Sequence, residues 1–238
     1  MYNIFDGANV YRKYFYLEPL PEHLENTLRG FNAQPNTIWV FDGFNSRKKR
    51  VDLFPEYKGK RKPASPDDLA MFEMMREFKE VTLPSWGAVV LEFPEWEADD
   101  IIYNLVKFLK VSQVYSTDID FWQMLKANPE LLLPETNKPK CDWQDIVIYK
   151  TLVGDTSDNI SGLKGFGQGA WDKLIPQDKE RISDFLNRQD ENSPFLLDKK
   201  LENKINEHWS TLKLYYKLVS FIELSDVEFK DMILSKLT

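Results

Sequence analysis

The stretch Thr37-Ile38-Trp39-Val40-Phe41-Asp42 shows the pattern on which the fold prediction depends. It is a short run of β-branched and aromatic residues that ends in an acid, as expected of a buried strand in a parallel sheet. Three more runs share this pattern: residues 2–5 before Asp6, residues 88–93 before Glu97, and residues 113–117 before Asp118. Because parallel strands end at one edge of a sheet, the pattern predicts that the acids gather at that edge.

Stretches with helical spacing separate these runs. Ile101, Leu105 and Phe108 recur at intervals of three to four residues, and a helix is expected from about Pro66. Strands that alternate with helices predict an α/β fold with a mostly parallel central sheet flanked by helices. Residues 131–133 predict a further strand, and four more helices are predicted over residues 143–153, 170–175, 181–186 and 204–221.

The composition excludes several classes of protein. The single cysteine, Cys141, rules out a disulfide framework, and no spacing of cysteine or histidine is typical of a zinc site. His23 and His208 are too few and too far apart in sequence to favour a Ser-His-Asp enzyme. We find no secretion signal and no apolar run of about 18 residues. We therefore expect a soluble, monomeric, cytoplasmic protein that does not bind membranes.

The charge is strongly uneven along the chain. The net charge is −7, which argues against a general nucleic-acid coat protein. Residues 47–62 nevertheless hold eight basic residues against Asp52 and Glu56, and their local charge is +6. This segment lacks sustained apolar periodicity, so we expect an exposed arm. An uneven distribution of this kind is compatible with an enzyme that acts on nucleic acid.

Nine acids follow the predicted strands or open the predicted helices and turns: Asp6, Asp42, Glu97, Asp99, Asp100, Asp118, Asp120, Asp155 and Asp158. Taken singly, each could be a helix cap, a first-turn acid or a turn former. Taken together, they would repel one another by roughly 3 kcal/mol for a pair about 5 Å apart. Cations would relieve that repulsion, and an all-oxygen ligand set favours Mg²⁺ or Mn²⁺. Two such ions can catalyse attack on a phosphodiester.

Two other segments could contact phosphate. Lys58 and Arg61 are one turn apart if their segment is helical, and beside a metal cluster they could bind a phosphate. They could equally belong to a solvated loop. Tyr57 could stack on a base or anchor the arm. The glycine-rich hairpin from Gly162 to Gly167 could bind a duplex backbone through its N–H groups, although glycine spacing alone is a weak signal.

These motifs together resemble the 5′ nucleases: flap endonucleases, the 5′–3′ exonuclease domains of bacterial polymerases, and their stand-alone phage relatives. The matching segments occur in the family's order within residues 2–170: Phe5-Asp6-Gly7, Val40-Phe41-Asp42-Gly43, Tyr57-Lys58-Gly59-Lys60-Arg61, Glu97-Ala98-Asp99-Asp100, Ser116-Thr117-Asp118-Ile119-Asp120, and Gly154-Asp155-Thr156-Ser157-Asp158-Asn159-Ile160. The resemblance implies a 5′-nuclease core over residues 1–160 with a helical arch over about 47–84. It also implies a DNA-binding helix-three-turn-helix region, which together with C-terminal packing helices would cover residues 155–238.

The resemblance further implies a role for each site residue. Ligands at or near one Mg²⁺ would be Asp6, Asp42, Glu97, Asp99, Asp100 and Asp118. Those at a second would be Asp120, Asp155 and Asp158, and Mn²⁺ could substitute. Lys58 and Arg61 would act on the scissile phosphate, with Asp6 and Asp42 as the other catalytic residues. DNA contacts would come from Arg47, Lys48, Lys58, Arg61, Lys150, Gly162, Lys164, Gly165 and Gly167, with K⁺ at the hairpin. The substrate would be DNA with a 5′ end, flap or nick, and RNA–DNA hybrids could be accepted.

Two departures from the family pattern bear on DNA binding and metal binding. Gln168-Gly169 replaces a frequent Pro-Lys pair, so binding of the duplex would be weaker or would depend on Lys164 and Lys173. Thr117 replaces a frequent glycine, with the ligands still in place. The alternatives are a PIN-type ribonuclease, with a similar acidic edge, and a non-catalytic protein that binds DNA junctions. A phosphatase with Asp118-Ile119-Asp120 as its nucleophile motif fits less well.

Overall fold

The computed structural model describes residues 1–18, 20–134, 137–187 and 199–237. The chain forms two compact units. The first unit comprises Met1–Lys49, Lys62–Lys138 and Ile222–Thr238, and the second comprises Arg50–Arg61 and Pro139–Phe221. Among the described residues, no helix combines the length and the apolar character that a bilayer crossing requires.

A four-stranded parallel sheet forms the centre of the first unit, as predicted. Its strands are β1 (Tyr2–Asp6), β2 (Thr37–Val40), β3 (Val89–Leu91) and β4 (Val111–Tyr115), in the order β3-β2-β1-β4. The register places Phe5 beside Trp39 on one side and Tyr115 on the other. The three rings stack, with centroids 4.7 Å and 4.3 Å apart, so aromatic packing holds the central strands together.

Twelve helices are described, in chain order: α1 (Gly7–Leu17), α2 (Pro21–Asn32), α3 (Lys48–Leu53), α4 (Pro66–Glu77), α5 (Leu83–Ser85), α6 (Ala98–Phe108), α7 (Ile146–Val153), α8 (Gln168–Trp171), α9 (Pro176–Asn187), α10 (Lys199–Glu207), α11 (Trp209–Val219) and α12 (Asp226–Met232). A π-helical turn, Phe78–Thr82, follows α4, and 3₁₀ turns cover Ile119–Lys126, Trp143–Asp145 and Leu234–Lys236. Local signals set several boundaries. Ser65 caps α4 in a capping box with Asp68, and Gly154 ends α7 with a φ of 101°.

Several predicted elements differ from those observed. Leu132 makes one isolated bridge to Gln113, so the strand predicted over residues 131–133 is wrong. The helix predicted over 204–221 is two helices, α10 and α11, which are separated at His208. The helix predicted over 170–175 is α8, which ends at Trp171. Helices α1, α2 and α12 lie outside the predicted elements.

The basic segment is exposed at many positions, including Arg47 and residues 60–62, but buried residues anchor its middle, which its charge does not predict. Arg50 is 5% exposed and Tyr57 is 4% exposed. Val51, Phe54 and Tyr57 recur at three-residue intervals and pack on the core of the second unit. The guanidinium of Arg50 donates from Nε to the Leu218 carbonyl at 3.0 Å and from Nη2 to the Ser220 carbonyl at 3.1 Å. Burial of this arginine is possible because those carbonyls accept its hydrogen bonds.

Candidate active site

The carboxyl edge of the sheet brings together side chains from three strands of the first unit. Asp6 ends β1, Asp42 follows β2 by two residues, and Asp118 follows β4 by three. Asp6 also caps α1, because its Oδ1 accepts from the Asn9 N–H at 3.3 Å. Ser116 Oγ donates to Asp6 Oδ2 at 2.9 Å and accepts from the Asp118 N–H at 3.1 Å. Ser116 therefore links two of the predicted ligands.

The charges of Asp42 and Asp118 act on Asp6 at this edge. Burial raises the pKa of Asp6 from 3.8 to about 7; the hydrogen bond from Ser116 opposes the shift, and the charges of Asp42 and Asp118 add to it. Mutual repulsion and desolvation both disfavour the ionised carboxylate. A divalent cation at this edge would reverse both effects, because it favours the charged form.

A second group of acids opens α6. The carboxylates of Glu97, Asp99 and Asp100 each place an oxygen within 4.8 Å of the others, and Glu97 and Asp100 are buried. Asp42 Oδ1 accepts from the Ala98 N–H at 2.8 Å, which ties the segment after β2 to the start of α6. This all-oxygen set fits a hard divalent cation such as Mg²⁺ or Mn²⁺.

Asp118 also has an ordinary structural role. Asp118 caps the 3₁₀ turn Ile119–Lys126, with its Oδ1 accepting from the Asp120 N–H at 2.8 Å. Capping engages one oxygen of Asp118 and holds the carboxylate at the sheet edge. The first unit contains seven of the nine predicted acids: Asp6, Asp42, Glu97, Asp99, Asp100, Asp118 and Asp120.

The remaining two acids, Asp155 and Asp158, lie in the second unit, in the turn that follows α7. Asp155 and Ile160 exchange backbone hydrogen bonds of 2.8 Å, and Asp155 Oδ1 accepts from the Ser157 N–H at 2.8 Å. Lys150 Nζ lies 2.6 Å from Asp155 Oδ2. Lys150, predicted to contact DNA, therefore makes a buried ion pair with a predicted metal ligand.

Asp158 forms a similar pair with the cations predicted to act on phosphate. Arg61 Nη2 and Lys58 Nζ lie 3.4 Å and 3.9 Å from Asp158 Oδ1, and the Tyr57 hydroxyl donates to Oδ2 at 3.4 Å. Burial raises the pKa of Asp158, and Asp155 adds to the shift while Lys58 opposes it. The segment is a series of turns rather than a helix, with a φ of 55° at Lys58, and the Arg61 N–H donates to the Lys58 carbonyl at 3.2 Å across one of these turns.

The glycine hairpin lies between α7 and α8, as predicted. Gly162 and Gly165 have φ values of 69° and 71°. A Cβ on Gly162 would lie 2.6 Å from the Leu152 carbonyl oxygen, so a glycine is needed here for the hairpin backbone to pack closely against α7. Gly165 and Gly167 are exposed, and Lys204 Nζ donates to the Lys164 carbonyl. Two of the basic residues predicted to contact DNA lie after β2: Arg47 is exposed, and Lys48 begins α3.

Three residues of the site escaped prediction because they act through their neighbours. Ser116 links Asp6 to Asp118. Asn9 accepts from the Thr117 N–H at 2.9 Å and so holds the end of β4 beside the start of α1. Asn104 lies one turn after Asp100 and donates to its carbonyl at 2.8 Å. Ser116 belongs to the motif Ser116-Thr117-Asp118-Ile119-Asp120, whereas nothing in the spacing of Asn9 or Asn104 indicates these contacts.

The curated relatives include a 5'-3' exonuclease and a DNA polymerase. The chain is 31% identical to the 5'-3' exonuclease of Aquifex aeolicus over 193 residues, which are 69% of this chain and 65% of that protein. It is 31% identical to the DNA polymerase I of Caldicellulosiruptor bescii over 208 residues, 73% of this chain and 24% of that protein. The chain thus spans less than two thirds of either relative.

Solved structures share the fold over nearly the whole chain. The bacteriophage T5 5'-exonuclease with bound zinc superposes with a TM-score of 0.66 at 20% identity, covering 98% of this chain and 93% of that one. The T5 D15 flap endonuclease, in a pseudo-enzyme-product complex with DNA and metal ions, gives 0.64 at 21% identity, covering 98% and 92%. Residues 2–150 match the model of the 5'-3' exonuclease, N-terminal resolvase-like domain, and the chain belongs to this family of 5′ nucleases.

Proposed function

We propose that this protein is a structure-specific 5′ nuclease. It hydrolyses DNA phosphodiesters near a free 5′ end, a nick or a 5′ flap junction, and it releases 5′-phosphate products. The observation that carries this proposal is the convergence of carboxylates at the carboxyl edge of the sheet in a chain of the 5'-3' exonuclease family. Two Mg²⁺ ions are the proposed cofactors, and Mn²⁺ substitutes for them.

The acids of the first unit would hold the first ion. Asp6, Asp42, Glu97, Asp99, Asp100 and Asp118 are the proposed ligands at or near it. Divalent ions in such a site supply Lewis-acid stabilisation of the charge that develops on the attacked phosphate and its leaving oxygen. The chain supplies orientation: Ser116 positions Asp6, and the Ala98 N–H positions Asp42. These hydrogen bonds hold the carboxylates in place before substrate binds.

The remaining acids and cations keep the roles that the family implies. Asp120, Asp155 and Asp158 are assigned to the second ion. Arg61 and Lys58 are assigned to the scissile phosphate. The side chain of Arg61 is 46% exposed, and its 3.4 Å contact with Asp158 can exchange for a phosphate oxygen. The side chain of Lys58 is 10% exposed, so it is less accessible to a phosphate than that of Arg61.

Contacts with duplex DNA are assigned to the basic residues after β2 and to the glycine hairpin. Arg47, Lys48 and Lys164 would bind phosphates, and the backbone at Gly162, Gly165 and Gly167 would bind with K⁺. The exposure of Gly165 and Gly167 supports this assignment. A phosphate contact of Lys150 would compete with its ion pair to Asp155. We also propose a monomer and cleavage of RNA–DNA hybrids.

A cleavage assay on labelled substrates tests the proposal. Flap, nicked and blunt DNA duplexes are incubated with Mg²⁺, alongside an EDTA control and an RNA flap of the same sequence. We expect Mg²⁺-dependent cleavage of DNA near the 5′ end or junction, with a large loss in Asp100→Asn and none in the exposed control Asp67→Asn. Cleavage in EDTA contradicts the proposal. Preference for RNA would indicate a PIN-type ribonuclease, and binding without cleavage would indicate a junction-binding protein.

A further inference from the structure

One face of α6 holds a separate segment of the first unit against the start of the helix. Residues 222–224, which we call the clasp, contact the side chains of Asp100, Tyr103, Asn104 and Lys107. These four positions follow the i, i+3, i+4, i+7 spacing of a single helix face. The clasp therefore joins distant parts of the sequence at the helix that carries Glu97, Asp99 and Asp100.

Asn104 is the centre of this arrangement. It is fully buried, and its Nδ2 donates to the carbonyls of Asp100 and Ile222, both at 2.8 Å. Its Oδ1 accepts from the Leu224 N–H at 2.8 Å. A side-chain amide is suited to this position because it offers donors and an acceptor together. Replacement of Asn104 by a side chain without donors would leave the Ile222 carbonyl without this partner.

The clasp reaches the predicted metal ligand directly. The Ile222 N–H donates to Asp100 Oδ1 at 2.8 Å, and Asp100 is 1% exposed. A hydrogen bond from a backbone N–H to a carboxylate is charge-assisted and directional. Because this bond holds one oxygen in place, it restricts the directions in which the other oxygen can point.

An outer pair of contacts tethers the clasp without touching Asp100. The Tyr103 hydroxyl donates to Glu223 Oε1 at 2.5 Å, and Lys107 Nζ lies 2.7 Å from Oε2. Glu223 is 56% exposed, so water competes for this pair. Tyr103 therefore provides a control for the inner contact, because its loss leaves the Asp100–Ile222 bond in place.

We infer that Asn104 and the Ile222 N–H are positioning groups for the metal-binding carboxylate of Asp100. The inference rests on the proposed function, because it takes Asp100 to be a ligand. Groups that orient a metal ligand contribute to affinity by reducing the reorganisation that binding requires. Loss of the clasp bond should thus weaken metal binding even though no ligand is removed.

Ile222→Pro tests the inference, because proline lacks the N–H, and Ile222→Ala is the matched control that retains it. Mn²⁺ binding to the free protein is measured by electron paramagnetic resonance, and circular dichroism checks the fold. We expect Ile222→Pro to weaken Mn²⁺ binding by about tenfold or more. Ile222→Ala should bind as the wild type does. Raised Mn²⁺ should restore cleavage by Ile222→Pro, which a merely structural defect would not allow.

A second variant keeps the test decisive if Ile222→Pro does not fold. Asn104→Ala removes the amide that donates to the Ile222 carbonyl, and Tyr103→Phe is its control; only Asn104→Ala should weaken Mn²⁺ binding. Unchanged Mn²⁺ affinity in the folded proline or alanine variant overturns the inference alone. Absence of Mn²⁺ binding by the wild type overturns the proposed function and the inference with it.

Discussion

Lys150 Nζ lies 2.6 Å from Asp155 Oδ2, and the two side chains are only 9% and 10% exposed. Burial raises the pKa of Asp155, but the Lys150 ammonium and the hydrogen bonds from Lys150 and Ser157 outweigh it and hold the pKa below its usual value of 3.8. The carboxylate of Asp155 is therefore charged and fixed at neutral pH. The pair connects α7 to the turn that follows it.

Removal of the Lys150 ammonium should destabilise the protein. We expect Lys150→Met to lower the free energy of unfolding by about 3 kcal/mol, because it leaves a buried carboxylate without its counterion. Urea unfolding at pH 7 gives the value, and the exposed Lys173→Met is the control. The double variant Lys150→Met/Asp155→Asn should recover part of the loss. A loss no larger than that of the control would contradict the prediction.

Removal of the Arg50 guanidinium should destabilise the protein about as much as removal of the Lys150 ammonium, although the charge of Arg50 suggests a surface position. Arg50→Met leaves the carbonyls of Leu218 and Ser220 without their guanidinium donors, and we expect a loss of about 2–3 kcal/mol. Arg50→Lys should recover little, because an ammonium cannot reproduce two hydrogen bonds of this geometry. Urea unfolding is again the measurement. The exposed Arg47→Met should change stability by less than about 0.5 kcal/mol.

The sheet and its acidic edge could be predicted because their signals are local. Each strand is a short apolar run, and the chain direction alone places Asp6, Asp42 and Asp118 at one edge. The position of Arg50 could not be predicted, since its acceptors lie about 170 residues away in the sequence. The same applies to the pairing of Lys58 with Asp158, a hundred residues apart.

Burial of polar groups is the general reason for these failures. A basic run is ordinarily solvated, and only the partners supplied by the folded chain make its burial tolerable. Leu132 illustrates the converse case. Its apolar neighbours predict a strand, but the structure gives it a single bridge to Gln113, because strand formation depends on a partner along its whole length.

Lys58 should affect turnover more than substrate binding. We expect Lys58→Ala to slow single-turnover cleavage of a 5′ flap about tenfold or more, because the ammonium is assigned to the charge that develops on the phosphate. The dissociation constant for the flap, measured in Ca²⁺ to prevent cleavage, should change less. The neighbouring Lys60→Ala, at an exposed position, is the control. An unchanged cleavage rate for Lys58→Ala would contradict the assignment of Lys58 to the scissile phosphate.

Cys141 should be unreactive in the folded protein. Burial, with a contribution from the Asp145 carboxylate, raises the pKa of its thiol from 9.0 to about 12. Because the thiolate is the reactive form, alkylation by iodoacetamide at pH 8 should be about a hundredfold or more slower than in guanidinium. The rate should rise about tenfold per pH unit from pH 8 to 10, since the thiol is still mostly protonated there. A rate that levels off near pH 9 would contradict the raised pKa.

Divalent cations should stabilise the protein in the absence of DNA. Desolvation and the charges of Asp42 and Asp118 disfavour the ionised form of Asp6, and a bound cation offsets both. With ion at a hundred times its dissociation constant, the linked gain in stability is about 2.7 kcal/mol. Thermal unfolding in Mg²⁺ or Mn²⁺ should show this gain as a raised Tm, whereas NaCl of equal ionic strength should not raise the Tm.

Asp99→Asn should reduce the Tm shift because it removes a carboxylate from the Glu97–Asp100 group, and Asp67→Asn should leave the shift intact. An equal shift in NaCl would mean that the acids are screened rather than bound to a metal, and the proposed chemistry would then have no site.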